Sequence, residues 1–91
     1  MFIFRWRPET TDEQKARVIP AVRALQGQIP GLLETWVGTN VSVKTPDYAI
    51  GGAMKFVDQA AYEAYGPHPV HQALLEWLMP LIEAVEADFQ P

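Results

Sequence analysis

Leu32-Leu33-Glu34-Thr35-Trp36-Val37 and Tyr48-Ala49-Ile50-Gly51-Gly52-Ala53-Met54-Lys55-Phe56 flank the polar stretch from Asn40 to Asp47. In the first run Leu33, Thr35 and Val37 alternate with Leu32, Glu34 and Trp36. In the second, Ile50, Gly52, Met54 and Phe56 alternate with Ala49, Gly51 and Ala53. Alternation of this kind marks half-buried strands, and the stretch between them reads as an exposed loop. Two strands therefore follow one another with no helix between them. The paired glycines weaken the second run and predict a bulge or a close approach by another group.

Upstream, Phe2, Phe4 and Trp6 alternate with Ile3, Arg5 and Arg7 before Pro8. This is a first strand with one aromatic face. Thr11 with Gln14 three residues on forms a capping-box pattern, opening a helix whose apolar stripe is Val18, Ala21, Val22 and Leu25. Pro20 falls inside that pattern and predicts a kink or an early break. Gly27 and Ile29-Pro30-Gly31 end the segment.

Downstream, Asp58 can cap a short helix running through Tyr62 and Tyr65. A longer helix from Pro69 carries Val70, Ala73, Leu74, Trp77 and Leu78 at helical spacing and stops at Pro80. Ile82 to Phe89 completes the set as a last strand, whose charges at Glu83, Glu86 and Asp88 do not alternate cleanly and suit an edge or a strand that serves a second subunit. The order β-α-β-β-α-β predicts an α+β, ferredoxin-like fold: a four-stranded antiparallel sheet with helices on one face. The uncovered face would hold Ile3, Leu33 or Trp36, Ala49, Ala53 and alternate residues of the last strand. An apolar sheet face this large predicts a homodimer formed through it.

Residues 1–91 make one domain, which buries only about 60–65% of its unfolded surface and so gains from association. With no cysteine, disulfides and thiolate–metal sites are excluded. A net charge of −4 with scattered basic residues argues against nucleic acid as a partner. No apolar run is long enough to span a membrane. Met1-Phe2-Ile3-Phe4 runs straight into Arg5-Trp6-Arg7, with no secretory signal, so a cytoplasmic location is expected.

Both histidines lie in Tyr65-Gly66-Pro67-His68-Pro69-Val70-His71. Pro69 suits the first helical position and disfavours helical geometry at His68, which makes His68 the N-cap and puts His71 in the first turn. The positive helix end disfavours an imidazolium there, favouring a neutral His71 able to accept a proton. Tyr65, just upstream, either donates a hydrogen bond to a substrate carbonyl as the companion of His71 or anchors the loop as an aromatic. His68 and His71 have no third ligand at a recognisable spacing, Glu76 and Asp88 being weak candidates, so neither a metal nor another cofactor is expected. Asp88 either orients His71 or is a solvated strand-end charge. Phe2, Phe4, Trp6, Val18, Val22, Ile50, Gly52, Met54 and Phe56 fall between sheet and helices. Gly52 and the small helix residues leave room there for a pocket binding an apolar or aromatic small molecule.

Four stretches together resemble the stress-responsive dimeric α/β barrel family, Dabb. They are Phe4-Arg5-Trp6-Arg7-Pro8-Glu9, Gln28-Ile29-Pro30-Gly31, Tyr65 to His71 with its His-Pro-Val-His element, and Asp88-Phe89. The resemblance implies a homodimer whose two sheets close into a barrel. The family includes a cofactor-free polyketide cyclase in which a Tyr and the second His of the His-Pro-x-His element serve an aldol-type ring closure. The matching positions are Tyr65 and His71. A first-strand His of that cyclase has its matching position just before Met1. The resemblance thus suggests a cofactor-independent cyclase or lyase acting on a carbonyl compound, or a small-molecule binder. Its alternatives are a non-enzymatic stress-responsive homodimer and a monooxygenase-like dimeric barrel protein.

Overall fold

A computed structural model describes residues 1–90. It contains β1 (Phe2–Trp6), α1 (Asp12–Ala16), α2 (Val18–Arg23), β2 (Leu32–Thr39), β3 (Ile50–Phe56), α3 (Gln59–Tyr65), α4 (Pro69–Leu78), a 3-10 turn at Met79–Leu81, and β4 (Ile82–Glu86). The strands form one antiparallel sheet in the order β2-β3-β1-β4. With the helices on one face, this is the ferredoxin-like arrangement that the element order predicts.

Thr11 caps α1 as expected. Its hydroxyl accepts from the Gln14 amide at 3.1 Å, and the Gln14 side chain accepts from the Thr11 amide at 2.9 Å. The single helix expected beyond it is divided at Arg17 into α1 and α2. The division resolves the conflict at Pro20. As the third residue of α2, Pro20 occupies a turn whose amides have no intrahelical acceptor, so its missing N–H costs nothing there.

The core lies between the sheet and the helices. Phe4, Leu32, Val37, Ile50 and Ile82 from the strands meet Val18, Val22, Leu25, Ile29, Leu74 and Leu78. Ile82 and Val18 are almost wholly enclosed, and burial of such side chains contributes roughly 1.5–3 kcal/mol each.

Three strand readings shift in the structure. A register shift between Leu32 and Glu34 inserts a surplus residue, so Leu32 pairs with Phe56 while Glu34 pairs with Lys55. Leu32, Thr35 and Val37 consequently share the helix side, and Leu33 is 46% exposed. At β3 the strand begins at Ile50, because the ladder gives way to a tied loop. There the Ala49 amide donates to the Phe4 carbonyl at 2.8 Å, and the Asn40 side chain donates to the Thr45 and Tyr48 carbonyls at 3.0 Å each. Ala49 packs against the core and does not belong to the open face. β4 stops at Glu86, since Phe2 is the last β1 residue paired with it, and Phe89 is exposed beyond the strand.

Gly38, Gly51, Ile3 and Val85 form one row across all four strands on the open face. Trp36 beside Ala53 lies on the same face and is 54% exposed; Val85 is 53% exposed. Charged residues border this apolar centre: the Arg5 guanidinium meets Glu83 at 2.8 Å, and Glu34 stands opposite Lys55. On the outer edge of the sheet, Arg23 donates to the Val37 carbonyl at 3.2 Å and Gln26 to the Leu33 carbonyl at 3.0 Å. Two backbone acceptors of edge strand β2 are thereby occupied from the helix layer.

Candidate functional site

α3 ends where α4 begins, and the joint brings Tyr65, Gly66, His68, His71 and Gln72 together. Asp58 starts α3 by accepting from the Ala61 amide at 2.8 Å. Gly66 follows the last residue of α3, so its carbonyl has no partner within that helix. Pro69 stands at the start of α4, and His68 caps it as the sequence predicts: the Val70 amide donates to His68 Nδ1 at 3.1 Å. An accepting Nδ1 places the proton of a neutral His68 on Nε2.

His71 has the opposite arrangement. Its Nδ1 lies 3.0 Å from the Gly66 carbonyl oxygen. A carbonyl only accepts, so Nδ1 carries the proton and the lone pair of a neutral ring falls on Nε2. The Tyr65 ring stacks on this imidazole with centroids 3.9 Å apart and planes 28° from parallel. Phe56 supports the stack from β3, with its ring centroid 5.2 Å from that of Tyr65.

Burial first, then the charges of Glu86 and Asp88, pushes the Tyr65 hydroxyl up to about 12. It therefore remains a donor throughout the range in which most enzymes work. The sign is that of a raised acid group: the associated stability is complete below the ordinary tyrosine value of 10.0 and is lost as pH rises towards about 12. We expect Tyr65→Phe to remove the last step of an alkaline phenolate-absorbance titration. A last step unchanged in the variant would place the high-pH phenol elsewhere.

Asp88 forms no hydrogen bond with His71 among the described residues. Its carboxylate accepts from the Tyr62 hydroxyl at 2.7 Å, and this bond raises the Tyr62 phenol above its ordinary value. Among the described residues no cluster of three metal-ligating side chains occurs.

The nine residues expected to line a pocket divide differently. Phe4, Val18, Val22 and Ile50 are buried members of the core, while Phe2, Trp6, Met54 and Phe56 are half buried and pack against it. Gly52 needs the clearest correction. It pairs with Phe2, and a Cβ there would lie 2.6 Å from Phe2 Cε2 and 2.8 Å from the Trp36 carbonyl oxygen. The glycine admits the Phe2 ring, so the space is filled. Two open hollows lie elsewhere, one along β2 and β3 beside Arg23 and Trp36, the other on the outer side of α4 beside Gln72 and Glu76. Neither includes Tyr65 or His71 among its lining residues.

Sequence reading missed the Gly66 carbonyl and Gln72. Gln72 was legible only as the polar neighbour of His71, yet its Nε2 donates to the same carbonyl at 2.6 Å.

A family model described as the stress responsive A/B barrel domain, Dabb, matches residues 1–91. The chain belongs to this family. A Dabb family protein of ferredoxin-like fold from Mesorhizobium loti is 27% identical, with a TM-score of 0.83, over 99% of this chain and 91% of its own. A dimeric ferredoxin-like protein of unknown function from Thermobifida fusca is 28% identical, with a TM-score of 0.75, over 92% of this chain and 82% of its own. A hydroxynitrile lyase from Passiflora edulis shares the fold alone: 14% identity and a TM-score of 0.74, over 98% of this chain and 93% of its own. No curated protein matches the sequence.

Proposed function

We propose that this Dabb protein is a cofactor-independent acid–base enzyme acting on a carbonyl-bearing small molecule by aldol-type chemistry of the polyketide-cyclase kind. The observation that carries the reading is the Tyr65–His71 stack with His71 Nδ1 held by the Gly66 carbonyl. In this arrangement Nε2 is the free base, able to take a proton from a carbon next to a carbonyl. The Tyr65 hydroxyl, kept protonated, donates to the carbonyl oxygen as enolate charge develops. The enolate carbon then attacks a second carbonyl to form the new carbon–carbon bond. The imidazolium returns its proton to the resulting alkoxide, so the base is regenerated and no oxidant or reductant is consumed.

The same reading makes the protein a homodimer joined through the open face of the sheet. Support comes from the exposed Trp36 and Val85 around a glycine-lined centre, and from the dimeric description of the Thermobifida relative. A substrate would approach at Tyr65 and His71, outside the filled core.

The test is turnover of a panel of poly-β-keto substrates by wild type, His71→Ala and Tyr65→Phe. Loss of the base is expected to lower the rate roughly 10²–10⁴-fold. Loss of the donor is expected to cost about 10²–10³-fold. Equal rates in all three proteins would remove catalysis from these residues.

A further inference from the structure

We infer that Gln72 is a positioning residue for His71, fixing the imidazole tautomer through the Gly66 carbonyl; the inference rests on reading His71 Nε2 as the base. Gly66 O receives two side-chain donors, Gln72 Nε2 at 2.6 Å and His71 Nδ1 at 3.0 Å. A carbonyl oxygen has two lone pairs, so the bonds are compatible. The oxygen belongs to the residue directly after α3, where helix geometry supplies no donor to hold its peptide plane. Gln72 supplies one. Its own amide is fixed in the first turn of α4 by a 2.9 Å bond to the His68 carbonyl, so the side chain reaches Gly66 from an anchored backbone.

Each bond has a separate consequence. The His71 bond selects the Nδ1–H tautomer, and the Gln72 bond keeps the acceptor where His71 can use it. Without Gln72, rotation about the Gly66 Cα–C bond is less restrained and lets the oxygen swing from Nδ1 towards water. The stacked ring then loses its tautomer selection, and Nε2 is partly protonated and unavailable as a base. Pro67 fixes φ on the far side of the Gly66–Pro67 peptide, so this oxygen moves through rotation about the Gly66 Cα–C bond, the one rotation the Gln72 bond resists.

Nitrogen-15 spectra of the imidazoles, taken where both histidines are neutral, test this in wild type, Gln72→Met and Gln72→Lys. Gln72 is exposed, so the fold is expected to persist in both variants, and an unchanged His68 signal in its Nε2–H form checks that it does. Wild type is expected to hold His71 as Nδ1–H. The methionine variant, similar in length but without a donor, is expected to shift His71 towards Nε2–H, and lysine, which keeps a donor, to retain the wild-type tautomer. Retention of Nδ1–H in the methionine variant, or an equal shift in both variants, overturns the role of Gln72 and leaves His71 as the base. An Nε2–H tautomer in wild type overturns the reading of His71 itself.

Discussion

Gly52→Ala is expected to destabilise the protein by about 1–3 kcal/mol, a large share of the stability of a domain this small. The added methyl would meet an aromatic ring and a backbone oxygen, the Trp36 carbonyl at 2.8 Å, and they yield differently. Phe2 is half buried and can rotate at some cost to its stack with Phe4, whose ring centroid is 4.8 Å away. The carbonyl belongs to the neighbouring strand and moves only if the β2–β3 ladder moves. Chemical denaturation of Gly52→Ala, Phe2→Leu and the double variant separates the contributions. The double variant is expected to be more stable than the sum of the single losses predicts, because leucine removes the ring atoms nearest the methyl. Strict additivity would show that the ring is not the obstacle.

Trp36→Glu is expected to convert the proposed dimer to a monomer at micromolar concentration, measured by light scattering. The substitution sets a carboxylate on a face whose other members are Gly38, Gly51, Ala53, Ile3 and Val85. About a twofold axis each copy presents the same patch, so one substitution places charge in the interface twice. An unpaired buried charge costs several kcal/mol, more than a rim contact returns. Tyr65 and His71 are on the helix side, so the Nδ1–H tautomer of His71 is expected to persist in the monomer. A dimeric Trp36→Glu protein would move the interface off this face.

Much of this fold was legible because the alternation, caps and breakers report local preferences that the tertiary structure keeps. Thr11, Asp58, His68 and Pro69 all sit where their side-chain chemistry places them. The surplus residue at Leu33 was not legible. Apolar–polar alternation continues on either side of it, and only the pairing of Leu32 with Phe56 and Glu34 with Lys55 reveals the shift. Pro20 signalled a conflict but not its resolution, since the break at Arg17 depends on how both halves pack. Gly52 was legible as a point of close approach, which the Phe2 ring makes, but not as a filled space, because a missing side chain indicates room without indicating what fills it. At the candidate site, Tyr65 and His71 were legible as side chains in a recognisable pattern. The Gly66 carbonyl was not, because every residue carries one and only the helix-to-helix joint makes this one matter.

The edge of β2 has a meaning for how large an assembly this molecule can build. Pairing through a face uses each copy's surface once and closes at two, whereas pairing along an edge exposes a fresh edge at every addition and has no natural end. Arg23 and Gln26, by occupying the Val37 and Leu33 carbonyls, deny an incoming strand a continuous row of acceptors. Two ordinary surface side chains thus blunt this edge against the addition of a strand.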